Sequence, residues 1–397
     1  MGSVISLGVE NFEIDWGKNF VHNNHSRLFL PTDKCCVPYY YADDIVEEKP
    51  ALCRSLRNVR RRLGLLGYTM NSAREAYEWS RENDHMYCTP PDVSFDQFAA
   101  AIRIIDVERI GPDEGCGYDL GEYISMHLFQ DPEFNKVAEL RKTSRHEGEF
   151  YENLDPYLIL RLLLENEKNL DKRLLWRYAD VMEEGYIEEK DLFGGLREED
   201  KYLIITEGSS DASVLERSLQ LVAPDIADFF YFIDMRENYP FTGVGNVHRF
   251  CQGLLRIRIL NKILVVLDND AAGNEVYTKL SELALPSNIK IMRLPDLQEC
   301  SSFRTIGPGG VQVMDVNGAA TSIEMFLDLS KVDSDPPTVR WTSFNESMSR
   351  YQGELVDKGR HLKKFFELHE RKTSQYDLSR LQMLWNQIYN TCAEESA

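Results

Sequence analysis

Two aspartates one residue apart, Asp268 and Asp270, close the apolar run Ile263-Leu264-Val265-Val266-Leu267, and the small-residue turn Ala271-Ala272-Gly273 follows at once. An earlier apolar run, Tyr202-Leu203-Ile204-Ile205-Thr206, ends on Glu207, with Asp211 one helical turn further on. Alternate side chains of an extended chain point the same way, so Asp268 and Asp270 share a side. Asp211, a turn past Glu207, is placed to face the same cleft. Acids gathered this closely repel one another and stay partly protonated unless a cation balances them. Magnesium or manganese, held by a few carboxylates and water, removes that penalty. One or two such ions activate water and stabilise the leaving oxygen in phosphodiester cleavage. The expected chemistry of Glu207, Asp268 and Asp270 is therefore metal-assisted hydrolysis, with Asp211 a further ligand.

Taken singly, each of these acids reads as well as a helix cap or a solvated strand end. Three of them at strand ends within one set of βα units favour a site. The aspartate pair of haloacid-dehalogenase phosphatases is a rival reading, but that pair closes the first strand of its domain. Here it follows the third, and Ala272 stands where a threonine is usual. No Walker lysine loop is present, which excludes ATP hydrolysis of the P-loop kind.

The elements that must position these acids alternate in a regular way. Strands are expected at 202–206, 229–233, 263–267 and 289–294, separated by helices at 211–221, 247–254 and 275–283. Short connections between strands and helices imply βαβ units and a mainly parallel sheet, whose ligands sit outside the carboxyl ends of the strands. The Gly-rich stretch Phe241 to Asn246, before the second helix, reads equally as a phosphate turn or a plain loop. Upstream, Val4 to Leu7, Asn11 to Trp16 and Val37 to Tyr41 read as strands. Helical spacing follows at 50–66, 71–82, 94–105, 134–148, 154–165 and 170–178. Downstream, helices are expected around 321–329, 343–371 and 377–391, with Asp335-Pro336-Pro337 as a hinge.

The chain has 397 residues and a net charge of -20, the wrong sign for a protein whose partner is nucleic acid. Local basic clusters are the candidates for that contact. Arg54, Arg57 and Arg61 lie on an expected helix with Arg60 and Arg62, and Lys363 and Lys364 follow Lys358, Arg360 and His361. Either cluster alone also reads as a solvated helix face. Eight cysteines at irregular spacing suggest reduced thiols and a cytoplasmic setting. His22, His25, Cys35 and Cys36 approach a zinc set only loosely. No apolar run is long enough to span a bilayer.

The acids together resemble the Toprim signature, a glutamate after the first strand and a DxD after the third, which Glu207 and Asp268-Asn269-Asp270 match in order and spacing. That module is shared by topoisomerases, primases and several nucleases. Asp211 after the glutamate, then Leu294-Pro295-Asp296 and Thr321-Ser322-Ile323-Glu324, are similar to the nuclease branch, the overcoming-lysogenization-defect family. The resemblance implies that Glu207, Asp211 and Asp268 hold one ion, and Asp270 with Glu324 a second. The opening through Trp16-Gly17-Lys18-Asn19, with Val339 to Ser343 and Tyr351 to Glu354, resembles bacterial HEPN/Toprim-associated proteins. The R-x4–6-H pattern of HEPN ribonucleases is met by Arg141 and His146, with four residues between them. The ATPase domain that usually precedes the overcoming-lysogenization-defect Toprim is not found here, which leaves open whether the chain works alone or beside a separate ATPase or sensor protein.

The expected architecture is α/β: a Toprim core of Rossmann-like, mainly parallel sheet at 198–297, an N-terminal β-plus-helical region at 1–197, and a C-terminal helical region at 298–397 that completes the site. The expected function is a magnesium- or manganese-dependent endonuclease acting on DNA or RNA in antiphage defence, with an oligomer open. The alternatives are a non-catalytic interaction subunit and a ribonuclease using Arg141 and His146.

Overall fold

The structure is a computed structural model that describes residues 3–41, 45–83, 93–111, 120–127, 150–233, 244–257, 259–332, 336–368 and 375–393. Two compact units divide the chain, Met1–Arg197 and Glu198–Ala397. Residues 198–297 and 298–397 therefore share one unit.

The first unit holds β1 (Val4–Val9), β2 (Phe12–Lys18), β3 (Lys34–Tyr41), β4 (Ile45–Ser55) and β5 (Arg173–Arg177) in one antiparallel sheet ordered β2-β1-β5-β4-β3. Helices α1 (Leu56–Leu66), α2 (Met70–Asn83), α3 (Phe95–Arg103), α4 (Leu120–His127) and α5 (Pro156–Leu163) accompany it. Local chemistry sets their ends. Gly67 adopts φ +92 to close α1, a left-handed turn that a Cβ disfavours. Ser94 and Gln97 form a capping box on α3, and Asp155 caps α5 with Pro156 behind it. Leu52, Leu56, Val59, Leu63, Phe98, Leu160 and Trp176 belong to one continuous core.

Three expectations fail in this unit. Residues 173–177, expected as helix, form β5, the middle strand, hydrogen-bonded to β1 on one side and β4 on the other. Leu174, Leu175 and Trp176 are buried in succession, as in a strand covered on both faces, and a run this short carries no clear period. Residues 50–55 likewise complete β4, and the helix begins only at Leu56. The Sγ atoms of Cys35 and Cys53 are paired across β3 and β4, which the expectation of free thiols throughout did not include.

The second unit opens with β6 (Tyr202–Ile205), α6 (Ser209–Val222), β7 (Phe230–Phe232), α7 (Val244–Ile257), β8 (Lys262–Leu267), the two-residue β9 (Asn269–Asp270), α8 (Ala271–Ser281) and β10 (Ile289–Arg293). The four longer strands are all parallel and ordered β10-β8-β6-β7. One face, with Ile263, Val265 and Leu267, packs on Val247 and Cys251 of α7 and Val276 and Leu280 of α8. On α10 (Ser379–Ala393), which packs against α6, Trp385 meets the Phe230 ring at 5.2 Å and donates to Ser218 Oγ at 2.8 Å.

The helix expected at 377–391 is found as α10, but much of the rest of this unit departs from the helical region expected. Strands β11 (Phe303–Gly307), β12 (Gly310–Met314), β14 (Val339–Asn345) and β15 (Arg350–Leu355) form a second sheet ordered β12-β11-β14-β15. The run Val339-Arg340-Trp341-Thr342-Ser343-Phe344 is rich in β-branched and aromatic residues, and Ser349 reverses the chain with φ +50. β13 (Ala320–Thr321) pairs with β9, and α9 (Lys358–Phe366) follows β15. Where a helix was expected at 321–329, Thr321 ends β13 and Ile323–Phe326 and Leu329–Lys331 are short 3-10 turns. Among the described residues no helix is long and apolar enough to cross a membrane.

Candidate metal centre

Neighbour order in the parallel sheet reverses between β6 and β8: the chain leaves β6 for β7 on one side and returns to β8 on the other. Open α/β sheets bind ligands at such a switch point, beyond the carboxyl ends of the strands. Glu207 stands just past the end of β6, and Asp268 just past the end of β8. Glu207 Oε1 accepts the Asp268 N–H at 2.9 Å, tying the two strand ends together. Asp211, in the first turn of α6, accepts the Gly208 N–H at 3.0 Å.

Asp270 is the N-cap of α8. Its Oδ1 accepts the Gly273 N–H at 2.7 Å, and its Oδ2 accepts from Gln352 Nε2 on β15. Gln352 Oε1 in turn accepts the Ala272 N–H at 3.0 Å, so the second sheet clamps the DND turn. Gly273 is required here for space. A Cβ at that position would lie 2.2 Å from the Asp268 carbonyl oxygen and 3.0 Å from Glu207 Oε1. Glu324, expected on a helix, lies in a 3-10 turn, is 3% exposed, and accepts from Ser322 Oγ at 2.6 Å.

Asn269 faces away from this group. It is fully buried, donates to Asp296 Oδ1 at 2.6 Å and accepts from Asn274 Nδ2 at 3.2 Å. Asn274 also bonds the Asp270 carbonyl at 2.7 Å and accepts from Arg293. One side of the turn thus carries acids, and the other carries an amide network that holds the turn in place.

Electrostatics join the five acids. Burial raises the Asp268 carboxyl well above the usual range, and the charges of Asp211, Glu207, Asp270 and Glu324 raise it further. Glu207 moves from 4.5 to about 8 through burial and then the charge of Asp270, and Asp211 from 3.8 to about 7 through burial and then Glu324. Lys358 at the start of α9 works against the second shift. Asp270 is raised by burial and held back by the Gly273 N–H and Gln352. Glu207, Asp211 and Asp268 are half-buried, whereas Asp270 and Glu324 are buried.

Among the described residues no three His, Cys, Asp or Glu side chains form a ready-made metal set. Glu207, Asp211 and Asp270 each turn one oxygen onto a backbone N–H, and the second oxygen of each carboxylate is not so engaged. The donor set nevertheless suits a hard divalent cation, being all oxygen and in excess of negative charge.

The basic candidates fare unevenly. Arg54 lies on a strand, not a helix, is 6% exposed and bonds Asp33 at 2.8 Å. Arg57 is exposed and pairs with Asp171 at 2.9 Å, and Arg61 is half-buried. Lys363 and Lys364 are exposed on α9, each 4.0 Å from Glu367. His25 bonds Asp15 at 2.8 Å and the Tyr157 hydroxyl at 3.1 Å, Cys35 is paired with Cys53, and Cys36 is exposed, so no zinc set forms there. Arg141 and His146 lie outside the described residues, as does the start of the Gly-rich stretch at 241–243. Gln352 and Lys358 are contributors that spacing alone did not tie to the acids, whereas Gly273, in the small-residue turn, was legible. Gln352 is far from the acids in sequence, and only the β14–β15 hairpin returns it.

Fold and site define a mixed α/β protein with a parallel sheet and a group of acids at its carboxyl edge. Residues 1–200 match the family model HEPN/Toprim N-terminal domain 1, and the chain belongs to that family. Membership associates it with HEPN/Toprim proteins and points to a nuclease-related function. No curated protein and no solved structure matches the chain.

Proposed function

We propose that the second unit is a Toprim-type, magnesium- or manganese-dependent endonuclease centre of the overcoming-lysogenization-defect branch. The observation that carries this reading is Asp268, whose carboxylate lies within the field of four other acids at the switch point of a parallel sheet. Stability alone gives no reason to collect five acids there, since their repulsion opposes folding.

Glu207, Asp211, Asp268, Asp270 and Glu324 would hold the metal. When bound, it supplies the positive charge that favours ionised carboxylates and stabilises charge developing on the phosphate oxygens. Gln352 and the Gly273 N–H fix the Asp270 carboxylate against rotation. Glu207 or Asp268 would favour loss of the proton of an attacking water, Glu207 through Oε2, since its Oε1 is engaged by the Asp268 N–H. The water forms the new bond to phosphorus, the bridging P–O bond breaks, and the departing oxygen takes up a proton. Action in antiphage defence, in the cytoplasm and beside an ATPase or sensor, belongs to this proposal through the family association.

The test is incubation of the full chain with plasmid, single-stranded DNA and tRNA, in magnesium, manganese or EDTA. Asp268→Ala and His146→Ala variants run beside it. Metal-dependent cleavage that Asp268→Ala abolishes supports the reading. Cleavage that survives EDTA and Asp268→Ala but not His146→Ala would transfer the activity to the N-terminal unit. No cleavage under any condition would favour a non-catalytic interaction subunit.

A further inference from the structure

We propose that His361 supplies an imidazole nitrogen to the divalent ion held by the carboxylates of the second unit, giving the centre a preference for Mn2+ over Mg2+. The inference rests on the metal-centre reading above and adds a ligand of a different chemical class to it.

Helix α9 packs against the turn Ile323–Phe326 that carries Glu324. Lys358, His361 and Phe365 recur at helical spacing and so lie along one face. Two of the three sense the acid group. The Lys358 charge acts on Asp211, and the Glu324 charge acts on His361. Phe365 is fully buried, its ring 6.1 Å from that of Tyr376, which anchors this face inward.

His361 itself is 3% exposed, and its Nδ1 has no hydrogen-bond partner among the described residues. A buried imidazole nitrogen is normally satisfied by a carbonyl, a carboxylate or water, and an orphan calls for a specific cause. A merely structural histidine is the bland reading, and His25 shows what that looks like here, with both ring nitrogens engaged. An all-oxygen set suits Mg2+, whereas a nitrogen donor shifts selectivity toward first-row transition ions, of which Mn2+ binds oxygen ligands well.

The test uses the full chain and MnCl2 alone, with no nucleic acid. Mn2+ and Mg2+ affinities are measured by calorimetry for wild type, His361→Gln and Asp268→Asn. Pulsed electron paramagnetic resonance on Mn2+-loaded wild type, with natural and 15N-labelled histidine, reads directly bound nitrogen. The expected result is histidine-nitrogen modulation that changes with the label, and a ~10–100-fold loss of Mn2+ affinity in His361→Gln. Mg2+ affinity should move by less than about threefold, since oxygen ligands carry it. Bound Mn2+ with no histidine-nitrogen modulation overturns the inference while leaving the metal centre standing. Mn2+ that fails to bind wild type, or binds Asp268→Asn equally well, overturns both. Should His361→Gln fail to fold, the labelled wild-type spectrum still decides.

Discussion

The acid group makes a definite demand on stability. Glu207 titrates near 8 in the folded chain against an ordinary 4.5, and Asp211 near 7 against 3.8. Between about pH 4 and 8 the folded state therefore holds protons that the unfolded chain has released. Stability is greatest below that window and falls as pH rises through it, the reverse of an acid paired with arginine. Each pH unit of that window is worth about 1.4 kcal/mol for one group, so Glu207 alone corresponds to at most ~5 kcal/mol. Partial solvent contact reduces this, and about 3 kcal/mol is the working figure. Urea unfolding in EDTA at pH 5 and pH 8.5 measures it on the full chain. Far-UV circular dichroism follows both units. Net charge alone would also weaken the chain as pH rises, so Asp268→Asn is the decisive comparison. Removing the charge that four acids surround should flatten the pH dependence by ~1–3 kcal/mol and raise the midpoint at pH 8.5. Saturating Mg2+ should stabilise wild type by ~2.7 kcal/mol at a hundredfold excess over Kd, at pH 8.5 more than at pH 5. A pH profile equally steep in wild type and Asp268→Asn would refute the reasoning.

Other expectations follow from single contacts. Gly273→Ala forces a Cβ onto the Asp268 carbonyl, and should cost about 1–3 kcal/mol in urea unfolding and weaken Mg2+ binding by calorimetry. Gln352→Leu removes the donor to Asp270 and the acceptor for the Ala272 N–H, and should lower Mg2+ affinity ~10–100-fold while the second unit stays folded by circular dichroism. Asn269→Ala strips Asp296 and Asn274 of a buried partner, with an expected loss of ~1–3 kcal/mol and no change in the number of Mg2+ ions bound. In the first unit, Glu13→Gln leaves Arg177 without the carboxylate 2.9 Å away, and should destabilise by about 3 kcal/mol in the transition of that unit.

The alternation of strands and helices from 202 to 294 was legible residue by residue, because each strand is a short apolar run and each helix keeps its own period. The positions of Glu207, Asp268 and Asp270 at strand ends were legible for the same reason. The central strand β5 was not: Arg173 to Arg177 is too short to show a period, and its partners β1 and β4 are far away in sequence. Nor were β14 and β15, whose pairing buries Gly353 and Leu355 while leaving most of their residues exposed and so without a strong pattern.

What the sequence by itself determined is therefore the chemistry at hand: which residues are acids, and that they close neighbouring strands of a parallel sheet. Tertiary structure alone decided which acids feel one another. The Glu324 turn is brought inside by long-range packing, Gln352 by a hairpin, and His361 by a helix laid on the Glu324 turn, and no local pattern encodes such contacts. Asn269 illustrates the division. Its place between two aspartates is written in the chain, but its side chain is claimed by Asp296 and Asn274, which only the folded sheet brings within hydrogen-bonding reach.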